Sequence, residues 1–165
     1  MAFRFSGRFL CSGLFLFVAL APAPSLGAAT TVACNPSPTN LKAKISEAEP
    51  PDFEDSQTFT NVPHTSVTFT QGGAVPTCVI VRFSAQVGAS NGTNMHVRAV
   101  LDGATLALPP EVRFAFTADT SAARSYEFIF PSVAPGKHVL RMQYQSSNGS
   151  SMNISNRSTI VLYTR

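Results

Sequence analysis

The sequence predicts an all-β protein, an antiparallel β-sandwich that is jelly-roll-like and has about seven to eight strands. From residue 57 onward, apolar and polar residues alternate in segments of a strand's length. Such alternation places one side of each strand on a core and the other on solvent. Turn-forming pairs separate the segments: Gly72-Gly73, Asn91-Gly92, Asp102-Gly103, Pro109-Pro110, Pro135-Gly136 and Asn148-Gly149. Short strands at this regular spacing are typical of sandwiches and jelly rolls.

The N-terminus has the residue order of a secretory signal peptide. Arg4 and Arg8 precede the apolar run Phe9–Leu20, and small residues with two prolines follow it. The run is shorter than the ~20 residues of a transmembrane helix, which disfavours an uncleaved anchor. We therefore expect cleavage near Ala28 and a secreted or periplasmic mature chain without a membrane span. Because both signal-peptide arginines are lost, the mature chain is nearly neutral, and we expect no nucleic-acid partner.

The two cysteines that follow the signal peptide are Cys34 and Cys78. An even pair in an exported chain predicts one disulfide, which would join the N-terminal segment to the first long strand. In the chain-entropy model, closing this loop is worth about 4 kcal/mol. The alternatives are two unpaired thiols, or a lipid anchor at Cys34, since TVAC faintly resembles a lipobox.

Residues 29–56 differ from the rest of the chain and predict a Pro-rich arm that lies over a β-sandwich domain at residues 57–165. The segment contains four prolines and an acidic end, with little alternation. Lys42 to Glu49 would allow a turn or two of helix before Pro50 and Pro51 stop it.

The predicted strands have an apolar phase that identifies the expected core. Its members are Val67 and Phe69; Val79, Val81, Phe83, Ala85 and Val87; Met95, Val97, Ala99 and Leu101; Val112, Phe114 and Phe116; Tyr126, Phe128 and Phe130; Leu140, Met142 and Tyr144. The last strand is apolar on both phases, with Val161 and Tyr163 against Ile160 and Leu162. A strand of that kind is expected to be covered on both faces.

Three segments resemble β-sandwich domains of uncharacterised small exported bacterial proteins. They are CVIVRFSAQV (78–87), VRAVLDG (97–103) and APGKHVLRMQYQS (134–146), in which a Pro-Gly-x-His turn leads into a long strand. The resemblance runs from about residue 60 to the C-terminus. It implies the sandwich fold and brings no assigned activity.

No motif for catalysis, metal binding or a cofactor occurs in the sequence. A G-x-S-x-G elbow, a phosphate loop, a dinucleotide fingerprint and HExxH are all missing. His64, His96 and His138 lack ligand spacing, and His138, at a strand start, is expected to cap a turn. The sequence therefore predicts a protein without catalytic residues, metal or cofactor.

Four arginines form the one constellation that suggests a ligand. Arg82, Arg98, Arg113 and Arg141 all lie out of phase with the core residues of their strands. If those strands are neighbours, a row of guanidinium groups crosses an outer sheet face and could bind a carboxylate- or phosphate-bearing glycan. The alternative is ordinary solvation of the sheet face, with Glu111 and Glu127 as partners.

Three functions follow from these patterns, in order of expectation. The first is an exported, non-enzymatic interaction or structural module with an unknown protein or glycan partner. The second is an anionic-glycan-binding module that uses the arginine face. The third is a homo-oligomeric jelly-roll surface protein, because several apolar residues occupy the outer phase: Ile80, Val100, Ile129, Val139, Ile160 and Leu162.

Overall fold

The computed structural model describes residues 41–90, 92–116 and 121–164, with side chains from residue 45 onward. All regular structure in these ranges is β, so no helix there could cross a bilayer. The strands are β1 (Leu41–Ala48), β2 (Asp52–Glu54), β3 (Thr60–Asn61), β4 (Val67–Gln71), β5 (Thr77–Ala89), β6 (Met95–Leu101), β7 (Thr105–Leu106), β8 (Val112–Ala115), β9 (Ala122–Val133), β10 (Gly136–Ser146) and β11 (Met152–Thr164). The predicted signal peptide and Cys34 lie outside the described residues, so cleavage near Ala28 and the Cys34–Cys78 disulfide stay predictions.

The strands form two antiparallel sheets with jelly-roll topology. The first sheet has the order β1-β11-β5-β9, and β2 also pairs with β11. The second has the order β3-β10-β6-β7, and β4 pairs with β10 while β8 pairs with β6. If the eight principal strands are numbered along the chain, the first pairs with the eighth, the second with the seventh, the third with the sixth and the fourth with the fifth. The fold is therefore one long hairpin rolled into a sandwich, as the sequence predicts.

The core lies between the two sheets and consists of the alternating apolar residues. Its largest fully buried side chains include Phe69, Phe83, Phe128, Phe130 and Tyr144. Burial of each such ring contributes roughly 1.5–3 kcal/mol. The predicted core phases of β4, β5, β6 and β10 are buried throughout. Ile160 and Leu162 of β11 are half-buried on the other face, as the two-sided apolar pattern indicates.

Two residues predicted for the core are exposed, Phe116 by 41% and Tyr126 by 40%. The register between β6 and β8 shifts by one residue at Met95/His96, which marks a bulge in β8. Phe114 and Ala115 consequently both face the core. Phe116, which the alternation had placed on the core side, therefore faces outward. Tyr126 lies on β9, the edge strand of the first sheet, where a core-phase side chain has a strand on one side only.

The helix predicted over Lys42 to Glu49 is wrong, because Leu41–Ala48 is the edge strand β1. Its pairing with β11 runs from Leu41 opposite Thr164 to Ala48 opposite Arg157. A helix this short is marginal in water, whereas the ladder with β11 supplies a partner for its backbone groups. Within the predicted arm, residues 41–48 and 52–54 thus extend the first sheet.

A bulge in β11 turns one charged residue into the sandwich. Met152 and Ile154 face the core, and the register with β5 shifts between Ser155 and Ser158. Asn156 has a φ of 46°, in the left-handed region that asparagine tolerates. After this point the core phase moves to the odd-numbered residues, and Arg157 becomes 3% exposed.

The buried guanidinium of Arg157 is satisfied by backbone carbonyls. Its Nε donates to the Pro63 carbonyl at 2.9 Å, and its Nη1 donates to the carbonyls of Pro50 at 2.7 Å and Ile154 at 3.2 Å. A buried charge is tolerated only when hydrogen bonds of this kind replace its hydration. Arg157 thereby ties both ends of the long β1–β4 connection to β11.

We expect Arg157→Lys to lower the free energy of unfolding by about 2 kcal/mol, since one ammonium cannot span the carbonyls that the guanidinium fork joins. Urea unfolding measures the change. The exposed Arg141→Lys is the control and should stay within about 0.5 kcal/mol of the wild type. Equal effects of the two substitutions would contradict the role given to Arg157.

Candidate functional site

The predicted row of four arginines is wrong in one member. Arg98 on β6, Arg113 on β8 and Arg141 on β10 belong to the second sheet, whereas Arg82 on β5 belongs to the first. The jelly roll places β5 and β6 in opposite sheets although they are consecutive in sequence. Strand phase identifies an outward-facing residue, but it does not reveal which sheet the strand joins.

The three arginines of the second sheet form a diagonal row, called here the arginine row. Arg113 lies opposite His96, and Arg141 lies opposite Val100. Arg98 is between His96 and Val100 on the outer phase of β6, so it is the diagonal neighbour of both other arginines. Diagonal cross-strand neighbours are roughly 7–8 Å apart. The row therefore crosses three adjacent strands, β8, β6 and β10.

The central guanidinium of the row is held by two neighbours. The Cζ of Arg98 lies 3.9 Å from the centroid of the Phe59 ring, and the Arg98 Nε donates to the Gln143 Oε1 at 2.8 Å. Stacking on an aromatic face and a hydrogen bond to a side-chain amide both limit the rotamers of a long side chain. Arg98 is thus positioned before any ligand arrives.

Arg82 on the opposite face is neutralised. Its Nε and Nη2 donate to the Glu127 Oε1 at 2.9 Å and 2.5 Å, with about half of each side chain exposed. Within the described ranges, no member of the arginine row forms an ion pair. Glu111, the carboxylate predicted as a partner, instead meets His96, with 3.3 Å between Oε1 and Nδ1.

Phe59, Asn61 and Gln143 belong to this site and were not predicted as part of it. Gln143 lies on the outer phase of β10, which the alternation of that strand makes visible. Asn61 lies opposite Gln143 on β3, and Phe59 precedes that two-residue strand. A strand so short produces no alternation signal, so the sequence gives no indication that these two residues join the sheet.

Asp102 and His138 form a second polar cluster at one end of the sandwich. The His138 Nδ1 meets the Asp102 Oδ2 at 2.7 Å, and its Nε2 meets the Ala134 carbonyl at 2.8 Å. The second Asp102 oxygen accepts the Val139 N–H at 2.8 Å. The cluster links the β6–β7 turn to the β9–β10 turn, and the turn-capping role predicted for His138 is confirmed.

The hydrogen bonds of this cluster favour two charged groups. Burial opposes ionisation of Asp102, but the bonds from His138 and Val139 outweigh it and lower the pKa of that carboxyl. Burial likewise opposes protonation of His138, and the bonds to Asp102 and Ala134 outweigh it and raise the pKa of the imidazole. Both ring nitrogens face acceptor oxygens, an arrangement that favours the protonated imidazole.

A surface cavity of about 400 Å³ adjoins Asp102 and His138. Its floor contains the buried Leu101, Phe130 and Val133, and the exposed Leu106 and Leu108 line its mouth. Among the described residues, no further titratable group lines the cavity, so the walls they form offer mainly apolar contact.

No protein-family model matches the chain, and no curated protein sequence does so either. Among solved structures, the chain is similar to dimeric latent PorU from Porphyromonas gingivalis, with 14% identity, a TM-score of 0.50, and coverage of 76% of this chain but 13% of that one. The infectious bursal disease virus VP2 subviral particle gives 14% identity, a TM-score of 0.49, and coverage of 88% of this chain and 37% of that one. The CBM36-1 domain of a multidomain xylanase from the hindgut metagenome of Trinervitermes trinervoides gives 12% identity and a TM-score of 0.37, with coverage of 72% of this chain and 96% of that one.

These similarities concern the fold alone. The chain spans 13% of the length of the PorU chain, and the identity is far below the level at which a ligand or activity carries over. The sandwich fold is compatible with a non-enzymatic binding or structural module.

The Asp102–His138 pair should make stability depend on pH in a defined direction. The raised pKa of His138 gives stabilisation that is complete below 6.5 and is lost as pH rises through its folded value. The lowered pKa of Asp102 gives stabilisation that is complete above 3.8 and is lost as pH falls through its folded value.

We therefore expect the pair to stabilise the fold most between these two values. Because Asp102 is half-exposed, the loss from pH 6 to pH 9 should be at most about 1 kcal/mol. Urea unfolding of the wild type and Asp102→Asn across this range measures it. A wild-type curve parallel to that of the variant would contradict the assignment.

Proposed function

We propose that this chain is an exported, non-enzymatic binding module that holds an anionic glycan on the outer face of its second sheet. The observation that carries the proposal is the arginine row, three outward-facing guanidinium groups with no ion-pair partner among the described residues. Uncompensated arginines on adjacent strands create a positive potential where an oxyanion is attracted.

The chemistry of the face favours a glycan over a protein partner. Protein interfaces depend on aromatic or aliphatic anchors that become buried at their centre. On this face the Phe59 ring is covered by the Arg98 guanidinium, and Val100 is already buried. Around Arg98 the outward groups are arginine, amide and imidazole, which suits a hydrated ligand with many oxygen atoms. The exposed apolar side chains lie apart from Arg98, with Leu106 on β7 opposite Val100 and Phe116 beside Arg113.

Export is part of the proposal. The signal peptide at residues 1–28 would deliver the chain to a compartment where surface glycans occur and where Cys34 and Cys78 would pair. No cofactor, metal or catalytic step is needed for a function that consists of binding.

A second candidate function is self-association through the outer face of the first sheet. Of the apolar residues predicted on the outer phase, Ile80, Ile129, Ile160 and Leu162 lie on this face in adjacent strands. Val100 and Val139 lie on the second sheet instead. Ile45, opposite Ile160, is 58% exposed and extends the patch to the β1 edge. A second copy of this chain would bury the patch.

We expect the double variant Arg98→Ala/Arg141→Ala to bind acidic polysaccharide at least about tenfold more weakly than the wild type, a loss of roughly 1.4 kcal/mol. A glycan array at low and moderate salt followed by calorimetry measures the affinity. Arg82→Ala is the matched control, because that arginine is outward-facing but lies on the other sheet. If the wild type binds no acidic glycan, or if all three proteins bind equally, the proposed function is wrong.

For the second candidate, light scattering should give a mass at least twice that of the monomer, and Ile160→Glu should restore the monomer by placing a charge in the patch. Phe53→Glu is the control, since Phe53 is 67% exposed outside the patch. A monomeric wild type at every concentration tested would exclude self-association.

A further inference from the structure

Arg98 of the arginine row and two amide side chains form a hydrogen-bonded chain across β6, β10 and β3, called here the amide ladder. The Arg98 Nε donates to the Gln143 Oε1 at 2.8 Å, and the Gln143 Nε2 donates to the Asn61 Oδ1 at 3.0 Å. Arg98 lies directly opposite Gln143, which lies directly opposite Asn61, so the ladder follows one cross-strand row.

The direction of the ladder follows from the chemistry of arginine. A guanidinium only donates hydrogen bonds, so Gln143 must turn its oxygen toward Arg98. Its NH₂ group must then face Asn61, which in turn presents its own oxygen to Gln143. The acceptor oxygens of both amides are thereby engaged within the ladder.

Each amide oxygen already accepts one bond, so the groups of the ladder that are wholly free for a ligand are its remaining N–H donors. They are the Nη1 and Nη2 of Arg98, the second N–H of Gln143 and the Nδ2 of Asn61, none of which has a hydrogen bond among the described residues. A hydroxyl group is both donor and acceptor, whereas carboxylate and carbonyl oxygens only accept. A row of donors therefore matches a ligand that presents acceptors.

Phe59 restricts the approach to Arg98 further. Its ring covers one face of the guanidinium, and Gln143 engages the Nε edge. The free Nη edges accept a ligand best within the plane of the guanidinium. A planar carboxylate with two parallel oxygens fits this bidentate geometry.

We infer that the ligand is a carboxylate-bearing glycan, a polyuronate in chemical class, whose carboxylate binds the Nη edge of Arg98 and whose further acceptor oxygens meet the N–H groups of Gln143 and Asn61. This inference rests on the proposed function. Asn61 is its specificity-determining residue, because it ends the ladder and offers two free donors.

The decisive variant is Asn61→Asp, which replaces the free NH₂ with an oxygen and leaves the oxygen that accepts from Gln143. Calorimetry with polygalacturonate should show binding at least about tenfold weaker than that of the wild type. The matched control is Ser66→Asp, which adds the same charge at an exposed position beside β4 and should change binding less than about threefold. Urea unfolding of each protein confirms that the variants are folded.

Comparison of ligands distinguishes binding of any anionic glycan, the proposed function, from preference for a carboxylate-bearing glycan. The wild type should bind polygalacturonate more tightly than dextran sulfate and should not bind neutral dextran. If dextran sulfate binds more tightly, or if Asn61→Asp and Ser66→Asp behave alike while Arg98→Ala/Arg141→Ala still weakens binding, the carboxylate inference is wrong and the proposed function stands. If polygalacturonate and dextran sulfate both fail to bind the wild type, both are wrong.

Discussion

The hydrogen bonds of the buried Arg157 guanidinium are the constraint on which the candidate site depends. They join β11 to the carbonyls of Pro50 and Pro63, which bracket the segment containing Phe59 and Asn61. That segment contributes only the short strands β2 and β3 to the sheets, so backbone pairing alone holds it weakly. The positions of Phe59 and Asn61 therefore depend on the guanidinium of Arg157, which belongs to the other sheet.

Alternation of apolar residues was sufficient to predict the fold and most of the core. It identified the inward side chains of β4, β5, β6 and β10, because a half-buried strand must alternate. It failed at Phe116, where a bulge adds one residue and reverses the faces, and it made no prediction for Arg157, which a second bulge turns inward. It also failed over residues 42–49, where a ladder with the distant β11 outweighs local preference.

The site could be predicted only in part, for a related reason. Outward phase is a local property, so Arg98, Arg113 and Arg141 were found from their own strands. Membership of a sheet depends on pairing between strands far apart in sequence, so the placement of Arg82 was not accessible. Phe59 and Asn61 lie in a segment too short to show any period, and only the structure shows that they join Gln143 and Arg98.

The pairing of the first principal strand with the last has a consequence for how the chain acquires its structure. β11 occupies the interior of the first sheet and contacts β1, β2 and β5, so that sheet has a gap until residues 152–164 are present. Synthesis proceeds from the N-terminus, and contacts between segments far apart in sequence carry a high entropic cost of closure. The sandwich therefore cannot close before residues 152–164 have been synthesised, and removal of those residues takes away a central strand.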